Sequence, residues 1–154
     1  MKLFLVQHAE AKPKEEDPKR SLSEKGRNEI KKVAIFLEKQ GIIKVNKIIH
    51  SGKTRAKQTA DIMASFLKPE NGVTQSDGLN PLDDVTNIVK DLTTDDNLML
   101  VGHLPFMENL VSYLITGTIG KKVFKFQNGG IVCLDKDKEK GEWFIKWTLM
   151  PEIK

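Results

Sequence analysis

A chain of 154 residues, 39% hydrophobic and 30% charged, is long enough for one domain with a proper core and too short for two comfortable ones. Its net charge of +4 raises nucleic acid as a partner, but the lysines are interleaved with acids from Lys12 to Lys32 and from Asp135 to Glu142, so no nucleic-acid partner is expected. No apolar run approaches the roughly 20 residues of a membrane span, and no membrane partner is expected either. The opening Met1-Lys2 runs straight into a strand pattern, without the apolar segment and small-residue site of a signal peptide. Cys133 has no second cysteine to pair with, which fits a buried core thiol and a cytoplasmic location.

In chain order, the first predicted strand is about Lys2 to Gln7. A polar loop with Pro13, Pro18 and the charge run Lys14 to Arg20 follows. Ser23 is a plausible N-cap for a helix whose Ile30, Val33, Ala34 and Leu37 share one face, and Gly41 is its natural stop. Val45 to His50 reads as a second strand, and Ser51-Gly52 turns into a helix from about Lys53 to Leu67 with Ala56, Ala60, Met63 and Leu67 inward. A weak strand near Val73 and a short helix around Val85 to Leu92 precede the clearest buried strand, Leu98 to Val101. Pro105 starts a helix with Met107, Leu110, Val111 and Leu114 on one face, closed by Gly117. Val123 to Phe126, Ile131 to Leu134 and Trp143 to Leu149 read as strands, the last two as a hairpin at a sheet edge, with Trp143 and Trp147 on one strand face. The pattern predicts an α/β three-layer sandwich: a mostly parallel central sheet, helices on both faces and an antiparallel C-terminal portion. Residues 1–154 are read as one domain.

His8 follows the run Leu3-Phe4-Leu5-Val6, and His103 follows Leu98-Met99-Leu100-Val101. In a parallel sheet the C-terminal strand ends share one crevice. His8, His103 and Arg55, which opens the helix after the second strand, are therefore expected as neighbours. Arg20 lies in a loop that can swing over them. Two imidazoles and two guanidiniums with few carboxylates suit a phosphoryl group: a histidine can act as a nucleophile near neutral pH, and arginine's fork matches an anion at a helix N-terminus. The same histidines admit another reading, a metal hydrolase with His8, Glu10, His50 and His103 as ligands. His50, ending the second strand, is read as a hydrogen-bonded wall of the site. Lys53 reads equally as a site cation or a solvated first-turn lysine.

Four segments, Gln7-His8-Ala9-Glu10-Ala11, Arg20-Ser21-Leu22-Ser23-Glu24-Lys25-Gly26, Ser51-Gly52-Lys53-Thr54-Arg55-Ala56-Lys57-Gln58-Thr59 and Gly102-His103-Leu104-Pro105, occur in order over residues 7 to 105. They resemble the motifs of the histidine phosphatase superfamily. The short length and the stretch Phe126-Gln127-Asn128-Gly129-Gly130-Ile131 resemble its small SixA-type branch, the phosphohistidine phosphatases. The resemblance implies that His8 attacks phosphorus and becomes phosphohistidine. It implies that Gln7, Arg20, Arg55 and a protonated His103 hold the phosphoryl oxygens, that water completes hydrolysis, and that no cofactor or metal is needed. The implied partner is a phosphohistidine protein or a small phosphorylated substrate. Two departures stand out. The family's first arginine is Gln7 and its glycine Ala9, so one cation is missing. Where relatives acting on alcohol leaving groups carry an acid, this chain has Asn80-Pro81, leaving Glu10, Asp77 and Asp83 as candidate acids. A phosphohistidine nitrogen needs less help to leave than an alkoxide, so the missing acid fits that substrate. The missing charge keeps open a non-catalytic phosphate- or phosphohistidine-binding module.

Overall fold

A computed structural model describes residues 1–41, 43–92 and 95–153. Six strands, β1 (Lys2–Gln7), β2 (Lys47–His50), β3 (Val73–Gln75), β4 (Leu98–Gly102), β5 (Ile131–Lys136) and β6 (Trp143–Leu149), form one sheet in the order β3-β2-β4-β1-β5-β6. The β3-β2, β2-β4 and β4-β1 pairings are parallel, and β1-β5 and β5-β6 are antiparallel.

Alternation along the buried strands divides the core in two. Phe4 and Val6 of β1, Ile48 of β2 and Met99 and Val101 of β4 face helices α1 (Glu24–Gln40) and α2 (Thr54–Leu67). Leu3, Leu5 and Leu100 face α3 (Val85–Lys90) and α4 (Phe106–Thr116) on the other side. Near-continuous apolar runs are what a strand covered on both faces requires.

The helix ends follow local chemistry. Ser23 caps α1 by accepting from the Gly26 amide at 3.0 Å, and Gly41 and Gly117 close α1 and α4 in the left-handed region. At the N-terminal edge of the sheet three asparagines tie the parallel strands together. Asn97 and Asn46 exchange two 2.8 Å hydrogen bonds, the Asn97 side chain also accepts from the Lys2 amide, and the Asn46 carbonyl accepts from the Asn71 amide at 2.7 Å. This is why β2 begins at Lys47 rather than at Val45.

Two expectations are corrected. Residues 123–126 form no strand. β1 already has a neighbour on each side, and the segment instead delivers Phe126 to the core, edge-on to Phe124 at 4.9 Å. The two tryptophans do not share a face: an irregularity in β6, where Cys133 pairs Trp147 but Leu134 pairs Ile145, inserts one extra residue. Trp143 therefore packs with the α3/α4 side and Trp147 with the α1/α2 side.

Candidate active site

The C-terminal ends of β1, β2 and β4 and the start of α2 bring His8, Arg55 and His103 together. His8 and His103 are 8% and 2% exposed, and their rings lie 5.2 Å apart at 53°. The His8 amide donates to the Gly102 carbonyl at 3.0 Å, continuing the β1–β4 ladder one residue past the strand and setting the two imidazoles side by side.

Each ring nitrogen of His8 has a defined role. Nδ1 lies 2.7 Å from the Ala9 carbonyl, which can only accept, so Nδ1 carries the proton. Nε2 is the lone-pair nitrogen, and the Arg55 Nε–H donates to it at 3.3 Å. Burial pushes the His8 pKa down to about 4, against the Ala9 hydrogen bond and with help from Arg55 and Arg20. At neutral pH His8 is an uncharged imidazole with its lone-pair nitrogen next to a guanidinium, an arrangement that could serve a nucleophile.

His103 is pushed further, to about 3, first by burial and then by His8, Arg55, Lys53 and Arg20. These surroundings favour the neutral ring, against the imidazolium that the resemblance implies beside a phosphoryl group. Its Nε2 lies 2.7 Å from the Ser51 hydroxyl. Burial and the neighbouring Arg20 also lower the pKa of Arg55.

Arg20 stands at φ +52°, a left-handed backbone that costs a non-glycine residue about 1–2 kcal/mol. The surrounding loop enforces it. The Arg20 amide donates to the Asp17 carbonyl at 2.9 Å, and the Asp17 carboxylate accepts from the Ser21 amide and hydroxyl. The Arg20 Nε donates to the Lys12 carbonyl at 3.1 Å, and its charge reaches His8, Arg55 and His103 alike.

Gln7 is buried, and its Nε2 donates to Asn128 Oδ1 at 2.7 Å, fixing the amide against the loop before β5. Its Oε1 has no partner. Among the described residues the buried side-chain atoms left unpaired are this oxygen and His103 Nδ1. Gln7 precedes His8 at the end of β1, and His103 follows β4. Turning over both amides keeps the Gln7–Asn128 bond and presents an N–H donor in place of the Gln7 oxygen. Unpaired buried polar atoms are uncommon in native proteins and call for a ligand, ion or water.

The candidate acids are otherwise engaged where the structure defines them. The Glu10 carboxylate accepts from the Ser23 hydroxyl at 3.0 Å, and Asp83 accepts from the Asn80 amide at 2.8 Å. Asp77 lies in the loop after β3, and its backbone carbonyl accepts from the Ser76 hydroxyl at 3.0 Å. His50 is buried, and its Nδ1 accepts from the Gly52 amide at 3.0 Å, shaping the turn that carries Ser51. Lys53 is exposed at the N-cap of α2. His8, Glu10, His50 and His103 are not gathered as a ligand set: among the described residues no group of three or more His, Cys, Asp or Glu is placed to hold a metal.

Three motif residues without a role assigned from sequence prove to be sutures. The Thr59 hydroxyl accepts from the Ala9 amide at 3.0 Å and donates to the Arg55 carbonyl at 2.8 Å, joining the segment after β1 to α2. The Gln58 side chain accepts from the Leu22 amide at 2.8 Å, holding the Arg20 loop to the same helix. Gly26 lets α1 approach the His8 segment, since a Cβ there would lie 2.1 Å from the Glu10 carbonyl oxygen. Ser51 and Asn128 were also missed. Both lie in stretches that carry the resemblance, but nothing local to residue 128 marks it as the partner of Gln7, 121 residues away.

No protein-family model matches the sequence, and no curated protein matches it significantly. Solved structures do. The chain is similar to the protein histidine phosphatase SixA complexed with tungstate (24% identity, 98% of this chain and 97% of that one, TM-score 0.84). It is similar to a mycobacterial glucosyl-3-phosphoglycerate phosphatase complexed with VO3 (15%, 95% and 97%, TM-score 0.74). It is also similar to a phosphoserine phosphatase from Entamoeba histolytica (16%, 96% and 95%, TM-score 0.69). The chain has the histidine phosphatase fold over nearly its whole length.

Proposed function

We propose that this chain is a cofactor-free phosphatase that forms a covalent phosphohistidine on His8 and removes phosphate from phosphohistidine in a protein partner. The observation that carries the reading is the state of His8: a neutral imidazole with Nδ1 tied to Ala9 and its lone pair on Nε2, held toward Arg55 by a long 3.3 Å hydrogen bond that the guanidinium can exchange for a phosphoryl oxygen. Nε2 attacks phosphorus, the bond to the leaving nitrogen breaks, and water then hydrolyses the new N–P bond to give phosphate and restore His8. Arg55 and Arg20 supply fixed positive charge to the oxygens that gain charge in the transition state. His103 donates as a neutral ring. The Asn80-Pro81 pair, where relatives acting on alcohol leaving groups carry an acid, fits a leaving group that needs little protonation, which favours a histidine nitrogen over an alkoxide. The single buried thiol, Cys133, suits a reducing, cytoplasmic setting.

The test is incubation with several phosphohistidine proteins and a panel of small phosphoesters, followed by trapping of labelled protein. The expected result is phosphate release from the phosphohistidine proteins and an acid-labile label on His8. Release from the phosphoesters alone would move the substrate to small molecules. Phosphate binding with neither turnover nor label would make the chain a binding module.

A further inference from the structure

Ser51 belongs to none of the groups that touch the phosphoryl moiety in the reading above, yet its hydroxyl makes the shortest polar contact of His103, 2.7 Å to Nε2. That contact can be read in two directions. Either the ring N–H donates to the hydroxyl, or the hydroxyl donates to a ring lone pair. The surroundings of Ser51 favour the second. Its oxygen already accepts, at 3.4 Å, from the Lys53 amide that opens α2. A second bond accepted from His103 would leave the O–H with no acceptor among the described residues, whereas donating to Nε2 uses the hydroxyl both ways. The turn is held in place for this purpose by His50, whose Nδ1 accepts from the Gly52 amide, and by Gly52, which stands at φ +91° with the Gln75 side chain packed where a Cβ would be.

A neutral ring that accepts at Nε2 carries its proton on Nδ1. His103 Nδ1 is buried and has no protein partner. Beside a bound phosphoryl group, a lone pair on Nδ1 would repel the negative oxygens and an N–H there would donate to them. The direction of the Ser51 bond therefore decides whether His103 attracts or repels the ligand. We propose that Ser51 is a positioning residue that donates to His103 Nε2 and fixes the Nδ1–H tautomer, leaving Nδ1–H as a neutral donor for the phosphoryl group.

This rests on the phosphatase reading for its purpose but not for its test. The groups whose charge bears on His103 are His8 at the end of β1, Arg55 and Lys53 at the start of α2, and Arg20 in the loop before α1. All but His8 are permanent cations near pH 7, so an imidazolium is disfavoured and tautomer choice is what remains to be set. The chain has three histidines, so ring nitrogen resonances in the 15N-labelled full-length protein are readily assigned.

At pH 7 the wild type should show His103 with a protonated Nδ1 and an unprotonated Nε2. Ser51→Ala should move the ring toward the Nε2–H form and weaken inorganic phosphate binding about tenfold, the loss of one hydrogen bond to a charged group. Ser51→Thr, which keeps the hydroxyl, should restore both. An Nε2–H ring in the wild type, or Ser51→Ala with tautomer and phosphate affinity unchanged, overturns the proposal. Thermal melts of both variants separate a folding defect from a tautomer change. Absence of turnover on every phosphorylated substrate, with the tautomer and phosphate titration as expected, overturns the phosphatase reading alone.

Discussion

The crevice at the ends of β1, β2 and β4 and the β5–β6 hairpin are both polar, but they treat polarity differently. On the hairpin, charges are mixed and satisfied nearby: Lys146 pairs with Asp135 at 3.7 Å, and the Asp137 carboxylate accepts from the Glu139 amide at 2.8 Å. In the crevice, Arg20, Arg55 and Lys53 gather around two neutral imidazoles, and the two buried side-chain atoms without partners among the described residues belong to residues beside it. Polar groups that stabilise the fold are finished within the chain. Gln7 Oε1 and His103 Nδ1 find no such partner among the described residues.

The sharpest way to break that contrast is His8→Ala. It should lower turnover by about a thousandfold or more and remove the covalent label, as loss of a nucleophile does elsewhere. Residual turnover within tenfold would show that the open crevice is not where chemistry happens.

Acid is the next lever. His8 titrates near 6.5 when unfolded and about 4 when folded, so between those pH values the unfolded chain binds more protons. Its contribution is fully present above pH 6.5 and is lost as pH falls toward 4, on the order of 3 kcal/mol. Urea midpoints of wild type and His8→Gln should therefore converge or cross across this window. Parallel curves would mean that protons reach His8 freely.

Gly26→Ala should cost about 1–3 kcal/mol in urea denaturation, because the new methyl meets the Glu10 backbone rather than a flexible side chain. Gln7→Arg should tighten phosphate binding roughly tenfold by adding a charged donor. Unchanged affinity in a titration would show that Arg20, Arg55 and Lys53 already supply the charge. The smallest effect belongs to the hairpin: Lys146→Ala should change stability by less than about 0.5 kcal/mol and leave turnover intact, since the lysine in that pair is half exposed.

Features written in local patterns were legible. The strand-end histidines follow apolar runs, Ser23, Gly41 and Gly117 sit where caps belong, and β1 and β6 have the bounds read from sequence. Their convergence with Arg55 follows from parallel topology alone. What could not be read depends on distant partners or on one residue of register. The Ser51 contact to His103 spans 52 positions, and the Gln7–Asn128 bond spans 121. The β6 irregularity that separates Trp143 from Trp147 leaves the apolar alternation of the strand intact. The neutrality of His103 needed the burial and summed charge of its neighbours, which no motif records.

The asparagine clasp reaches the imidazoles without touching them. Asn97 and His103 bracket β4, and about 20 Å of extended backbone separates them at 3.3–3.4 Å per residue. Because side chains alternate in a pleated sheet, sliding β4 one position against β1 would turn every inward group outward. The clasp is thus the datum from which both imidazoles take their height, so loosening this far edge should shift the two rings relative to one another before the sheet unfolds.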